Sequence, residues 1–293
     1  MSFNDLRWVA RDEVFTTRPH AAEGLKLKGL WVAGSLAGLA RRTIAVVGTR
    51  APSDAGRRRA HEFGSQLARA GVCVISGLAL GVDGAAHAGA VEAGAPTIGV
   101  LGGGHNEFYP KRNRQLAEAM LASGGAVVSP FAPEHPAHPP QFLQRNGIVA
   151  ALAEAVVVIE AAERSGALNT AGWAAARSVP VFALPGDVDR PKAAGCNALI
   201  RDGATLVRNA EDVLADLGFA ECASPAAGSA LAPTLRADPL ETALLAALAD
   251  PCDLESLLDT ANASTGTLLA ALMRLEIDGL IERRGDGTIA RLR

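Results

Sequence analysis

Aromatic side chains are scarce in this sequence, 4% of its 293 residues, and just one is a tyrosine. A core short of large rings must be filled by Ala, Val, Leu and Ile, which suits tightly packed parallel sheet and helix. Cysteine is as sparse. Cys73, Cys196, Cys222 and Cys252 stand far apart and form no CxxC pair, so neither a zinc site nor a disulfide framework is expected. No apolar run approaches the roughly 20 residues that cross a bilayer. The first residues, Met1-Ser-Phe-Asn-Asp-Leu6, lack the charged-then-apolar order of a signal peptide. The expected location is therefore the cytoplasm, without a membrane partner. The formal net charge of -3 argues against a protein that coats nucleic acid with its whole surface, while leaving room for local basic patches.

What the chain does have is apolar residues, 49% of the total, arranged with regularity from Thr43 onward. Short β-branched runs over 44–47, 72–75, 97–101, 126–128, 155–159, 179–184 and 204–207 read as buried strands. Ala-rich stretches over 56–70, 83–93, 113–123, 142–153 and 168–177 read as the helices between them. Strand and helix repeated in this way predict a doubly wound, mainly parallel sheet of the extended Rossmann-like α/β class, because each parallel crossover needs a helix. Residues 25–217 form that domain. Residues 1–24 are expected to be a poorly ordered lead-in. Residues 218–238, rich in Ala, Ser and Pro, read as a flexible linker. Residues 239–293 carry three helical stretches and two strand-like pieces around Gly285-Asp-Gly287, the pattern of a small winged-helix domain.

The strand ends carry the candidate chemistry. Thr43-Ile-Ala-Val-Val-Gly-Thr-Arg50 and Val72-Cys-Val-Ile-Ser-Gly77 both stop at small residues, and their loops are expected side by side. Exposed N–H groups at Gly48 and Thr49, with Arg50 beside them, suit an anion such as phosphate. Neither GxGxxG nor a Walker loop is present. Ser76, Asp83 and His87 supply the residue types of a hydrolase, but Asp83 sits where a helix N-cap belongs and His87 shares its helix face, so the pair equally well fixes a loop. Gly102, Gly103 and Gly104 allow close backbone approach to a ligand. Lys111, Arg112 and Arg114 stand at a helix start, against its dipole. Phe142 and Arg145 on one helical turn can stack a base and neutralise its phosphate, or be a core ring and a paired cation. Ser165-Gly166 opens another helix, as anion nest or plain cap. His135 with His138, and Asp187 with Asp189, are too few to hold a metal. No nucleophile or metal cluster stands out, which favours binding of a phosphate-rich ligand over covalent chemistry.

Taken as a series, these loops resemble the DprA/Smf family of bacterial DNA-processing proteins. The matching pieces are Ile44 to Arg50, Ser76 to His87, Thr97 to Gly104 with Tyr109-Pro110, Gln141-Phe-Leu-Gln-Arg-Asn146, Ser165 to Ala171, Leu184-Pro-Gly186 and Gly195 to Ile200. The resemblance implies a homodimeric single-stranded DNA-binding protein that protects incoming strands and loads the RecA recombinase during natural transformation and DNA repair, with no catalysis and no cofactor. It implies a binding site made of Gly48, Thr49, Arg50, Ser76, Gly77, Gly102, Gly103, Phe142, Arg145, Asn146, Ser165 and Gly166. Arg57, Lys111, Arg112, Arg114, Arg283 and Arg284 are auxiliary DNA contacts, and double-stranded DNA is a second candidate partner through the winged helix. The family's N-terminal helical domain is missing or reduced to residues 1–24.

The sequence departs from the family pattern at Leu80 and Gly147, where arginine is usual, at Pro130, where glutamate is usual, and at Asn169, where an aliphatic residue is usual. The loss of two cations predicts weaker phosphate contacts and a flatter salt dependence. A rival reading is a Rossmann-like nucleotide-processing enzyme of the phosphoribohydrolase type, in which Glu107 after the glycines would be catalytic.

Overall fold

The computed structural model describes Phe3, residues 5–219 and, further on, parts of 240–291, chiefly 265–277, 281–283 and 288–291. The chain divides into two compact units, residues 1–224 and 225–293.

In the first unit the strands are β1 (Arg7–Ala10), β2 (Gly29–Gly34), β3 (Thr43–Val47), β4 (Cys73–Ser76), β5 (Thr97–Val100), β6 (Ala126–Ser129), β7 (Ala155–Val158), β8 (Val181–Ala183) and β9 (Thr205–Leu206). They form one sheet in the order β1-β2-β6-β5-β4-β3-β7-β8-β9. From β6 to β9 every pairing is parallel. The residues of β3, β4, β5, β6 and β7 are all buried, the condition of a parallel sheet covered on both faces. The covering helices are α1 (Arg11–Val14), α2 (Asp54–Arg69), α3 (Val82–Glu92), α4 (Arg114–Ala122), α5 (Pro139–Leu152), α6 (Gly166–Ala175), α7 (Ala194–Arg201) and α8 (Ala210–Asp216). One apolar layer packs residues such as Val47, Ile75, Val100 and Val156 against Ile148, Leu152 and Ala171. The other packs Ile44, Val46, Val74 and Val157 against Phe63, Leu67 and Ala86.

Chain order runs outward from β3 through β4 and β5 to β6, then returns to the far side of β3 with β7. The reversal between β3 and β7 is a topological switch point, where the loops leaving the two strands diverge and open a crevice.

Two features differ from the sequence reading. The lead-in carries structure: β1 pairs antiparallel with β2, from Arg7 opposite Val32 to Ala10 opposite Gly29. β2 in turn pairs antiparallel with β6, adding an edge to the parallel block. Val9, Val14, Phe15 and Ala22 join the core, which ties the segment down, whereas its polar residues hid any periodicity in the sequence. Helices α7 and α8 leave no clear signal in the sequence, because each is only about two turns long.

In the second unit the helix Thr265–Ile277 precedes strands Ile281–Arg283 and Ile289–Arg291, which pair antiparallel with Ile281 opposite Arg291. Cys252 bridges to Ile289, and Leu244, Leu248, Leu257, Leu268, Leu272, Leu275 and Ile281 form the core. The expected linker from residue 220, most of the two preceding helices and the Gly285-Asp-Gly287 turn lie outside the described residues.

Candidate functional site

At the switch point lies a cavity of about 300 Å³. Its walls come from the β3 loop (Gly48, Thr49, Arg50), the β4 loop (Gly77, Ala79), helix α5 (Phe142, Arg145, Asn146) and the first turn of α6 (Ser165, Gly166).

The loop after β4 is held rigidly. Asp83, in the first turn of α3, accepts from the N–H groups of Gly77 (3.1 Å) and Ala79 (3.4 Å). Asn113 donates to the carbonyls of Leu78 and Ala79, both at 2.9 Å. These bonds hold Leu78 at a φ of 54°, a left-handed conformation that costs a non-glycine residue about 1–2 kcal/mol.

Arg145 is the unusual group in this wall. It is only 3% exposed, and its Nη1 lies 3.9 Å from Asp83 Oδ2, beyond hydrogen-bond distance. Its buried Nε has no acceptor among the described residues. Burial pushes the guanidinium pKa down to about 10, with Asp83 opposing and Arg50 adding to the shift, so the cation persists at neutral pH. Burial likewise pushes the Asp83 carboxyl up, against the pull of Arg145 and the two amides. A cation with five donors, buried and underbonded, is costly unless an acceptor reaches it. Gly77 makes the arrangement sterically possible: a Cβ there would lie 1.2 Å from Arg145 Nη1.

Arg50 stands at the mouth. It is exposed, makes no ion pair with any described residue, and its guanidinium carbon lies 5.1 Å from the Phe142 ring centroid. The corresponding Arg145 carbon is 6.0 Å from the same ring. Phe142 rests on Gly102, where a Cβ would come within 2.6 Å of the ring, and its centroid is 5.9 Å from that of Tyr109. Asn146 ties α5 to α6 by donating to the Gly166 carbonyl (3.1 Å) and to Asn169 Oδ1 (3.3 Å). The polar residue at 169 is thereby explained as the partner of Asn146.

The structure thus brings Gly48, Thr49, Arg50, Gly77, Phe142, Arg145, Asn146, Ser165 and Gly166 around one cavity. It does not bring Ser76, Gly102 or Gly103 there. Ser76 is fully buried and donates to the Val46 carbonyl at 2.7 Å. Gly102 supports Phe142 from behind, and Gly103 packs against Ala137. All three are held in close packing outside the lining of the cavity. The Thr49 N–H, expected to be free for an anion, instead donates to the Glu160 carbonyl at 2.7 Å, and the N-terminal end of α2 is filled from within. Glu160 accepts from the Ser53 N–H (2.8 Å) and from the Ser53 hydroxyl, and its carboxylate lies 2.4 Å from where a Gly56 Cβ would stand. Glu160 thus occupies the N-terminal end of α2, whereas the first turn of α6 and the two arginines face the cavity.

Gly147 corrects another expectation. Its missing side chain would meet Leu25 at 2.9 Å and Trp173 at 3.2 Å, so this position does not supply a phosphate contact to the cavity. Of the auxiliary cations, Arg57 and Arg112 line a neighbouring groove. Lys111 is exposed and lines neither space. Arg114 is engaged by Glu118 (3.3 Å) and the Phe3 ring (5.3 Å). Arg283 ends a strand of the second unit, and Arg284 lies outside the described residues.

The residue types of a hydrolase are here buried in structural contacts. His87 is fully buried, with Nδ1 2.8 Å from Thr97 Oγ1; since Thr97 donates to the Val74 carbonyl (2.6 Å), His87 Nδ1 is the donor of that pair. Burial pushes its pKa down to about 3. Ser76, Asp83 and His87 thus each have a separate structural task. Glu107, the acid of the rival enzyme reading, is exposed and lines no part of the cavity. Among the described residues no cluster of His, Cys, Asp and Glu could hold a metal, and no helix is long and apolar enough to cross a membrane.

Comparison with known proteins identifies the family. Residues 25–218 match the family model of DNA recombination-mediator protein A, and residues 225–287 match that of the DprA winged helix domain. Protein Smf of Escherichia coli is 43% identical over 190 residues, 65% of this chain and 51% of that protein. DNA processing protein DprA of Bacillus subtilis is 39% identical over 176 residues, 60% of this chain and 59% of that one. The chain spans about half the length of the curated relatives it matches. The X-ray structure of DprA from Streptococcus pneumoniae superposes with a TM-score of 0.66 at 34% identity, covering 73% of this chain and 75% of that one. DNA processing protein A from Helicobacter pylori, whose structure is described as giving insight into a single-stranded DNA binding mode, superposes at 0.64 with 26% identity, covering 74% and 98%. With its switch-point cavity, its Rossmann-like sheet and its C-terminal winged helix, the chain belongs to the DNA recombination-mediator protein A (DprA/Smf) family.

Proposed function

We propose that this protein binds single-stranded DNA without sequence preference at the switch-point cavity, and acts through that binding as a recombination mediator in the cytoplasm. The observation that carries the reading is Arg145, a buried cation without a hydrogen-bond acceptor among the described residues, facing a cavity whose mouth holds Arg50, which makes no ion pair with a described residue. A phosphate oxygen satisfies both. Arg50, now over the Phe142 ring at 5.1 Å, moves onto the phosphate and frees the ring for a base. That exchange gives up a cation–π contact of about 0.5–1 kcal/mol and gains base stacking of about 1–3 kcal/mol. Phosphate contact and stacking carry little base information, so sequence-independent binding follows. The Helicobacter pylori relative supports single-stranded DNA as the ligand. Homodimer formation, protection of incoming strands and their delivery to RecA in transformation and repair rest on family membership. The reading assigns no catalytic step and no cofactor.

The test is oligo-dT binding at moderate salt. Arg50→Ala, at an exposed position that does not endanger folding, is expected to weaken affinity about tenfold or more, the worth of one charge-assisted contact. Adding Arg145→Ala weakens it further. Unchanged affinity in the double variant would refute the assignment of the cavity.

A further inference from the structure

The cavity does not end at Arg50. A small recess lined by Arg50, Leu80, Tyr109 and Phe142 adjoins it, and beyond lies an open groove of about 770 Å³ between α2, α3 and the start of α4. Arg50 lines all three spaces. The groove's cations are Arg50, Arg57, Arg58 and Arg112, all exposed and none in an ion pair with a described residue. The acid in its lining, Glu62, is already paired with Arg59 at 3.1 Å. Arg57 and Arg58 sit close to the N-terminal end of α2, where a cation opposes the helix dipole and Glu160 already serves as the anion. The fold gains nothing from them there, which points to an external anionic partner. Small residues, Gly84 and Ala88 among them, keep the trough open. Tyr109, the sole tyrosine and 53% exposed, stands at the junction against Phe142.

We propose that this groove is a second subsite for the same single strand: the strand leaves the cavity past Arg50, sets a base against Tyr109, and lays successive phosphates along Arg57, Arg58 and Arg112. The inference rests on the reading of the cavity as a single-stranded DNA site. Leu80, where the family usually has arginine, lies in this track, so its missing charge belongs to the groove and not to the cavity.

Fluorescence anisotropy on the full chain tests it, with labelled oligo-dT of about four nucleotides and of about twenty, bracketing the span of ordinary single-strand sites. The variant Arg57→Ala/Arg58→Ala/Arg112→Ala is expected to weaken the long probe at least tenfold and to leave the short one within twofold. Its salt slope on the long probe should fall by about 2, three contacts at about 0.7 each. Leu80→Arg should tighten the long probe alone and steepen its slope by about 0.7. Wild-type affinity of the triple variant for the long probe would overturn the proposal, as would equal loss on both probes. Short-probe binding that is indifferent to Arg50→Ala would instead overturn the cavity reading, and that arm is read separately.

Discussion

Gly77→Ala is the most incisive single change to this site, because it adds one methyl group at a position whose backbone tolerates it. Gly77 does not occupy the positive-φ region, so alanine introduces no backbone strain. The new Cβ would nevertheless stand 1.2 Å from Arg145 Nη1, and further short contacts would follow at 2.3 Å to the guanidinium carbon and 2.8 Å to Nη2. The guanidinium must leave its slot. Asp83 then keeps its two amide donors but loses its buried counter-ion. Breaking a buried pair in this way costs about 3–5 kcal/mol. For a unit of this size, about 3 kcal/mol lowers Tm by about 6–12 °C. Displacing the buried cation should also cost about 1.5–3 kcal/mol of DNA binding, or about 10- to 150-fold in Kd. Thermal unfolding and oligo-dT titration measure the two effects. The decisive control is a double-mutant cycle with Arg145→Ala: if Gly77 acts through Arg145, the two substitutions together should cost no more than Arg145→Ala alone. Additive losses, or a Gly77→Ala protein with native Tm and affinity, would refute the steric account.

Two other outcomes follow from buried groups. His87 titrates near 6.5 when unfolded and at about 3 when folded, so between those values the unfolded state binds the extra proton and stability falls as pH falls. Relative to His87→Gln, the wild-type protein should lose about 1.4 kcal/mol per pH unit over roughly pH 4 to 5.5, measured by denaturant unfolding; parallel pH profiles would contradict the buried neutral imidazole. Gly147→Arg, which restores the residue usual in the family, should destabilise by about 1–3 kcal/mol through overpacking against Trp173 and Leu25 and should not tighten DNA binding; a gain in oligo-dT affinity would show that the position reaches the ligand.

Much of this protein was legible in its sequence. β3 to β7 are apolar runs buried on both faces, and α2 and α5 are long enough to show themselves, because both signals are local. Gly48, Thr49, Arg50, Phe142 and Arg145 were legible as candidates from residue type at strand ends and on one helical turn. What only the tertiary structure decided is which strand ends meet and which charges are already answered. No periodicity in the chain says that β7 returns beside β3, yet that reversal makes the cavity. Nothing local foretells that Glu160 reaches back 107 residues to occupy the N-terminal end of α2, or that Asp83 and Gly77 together hold Arg145 in a buried wall. The sequence determined the longer elements and the residue types, since both depend on neighbours along the chain. The fold decided which of those groups remain unsatisfied, since that depends on contacts between residues far apart in sequence.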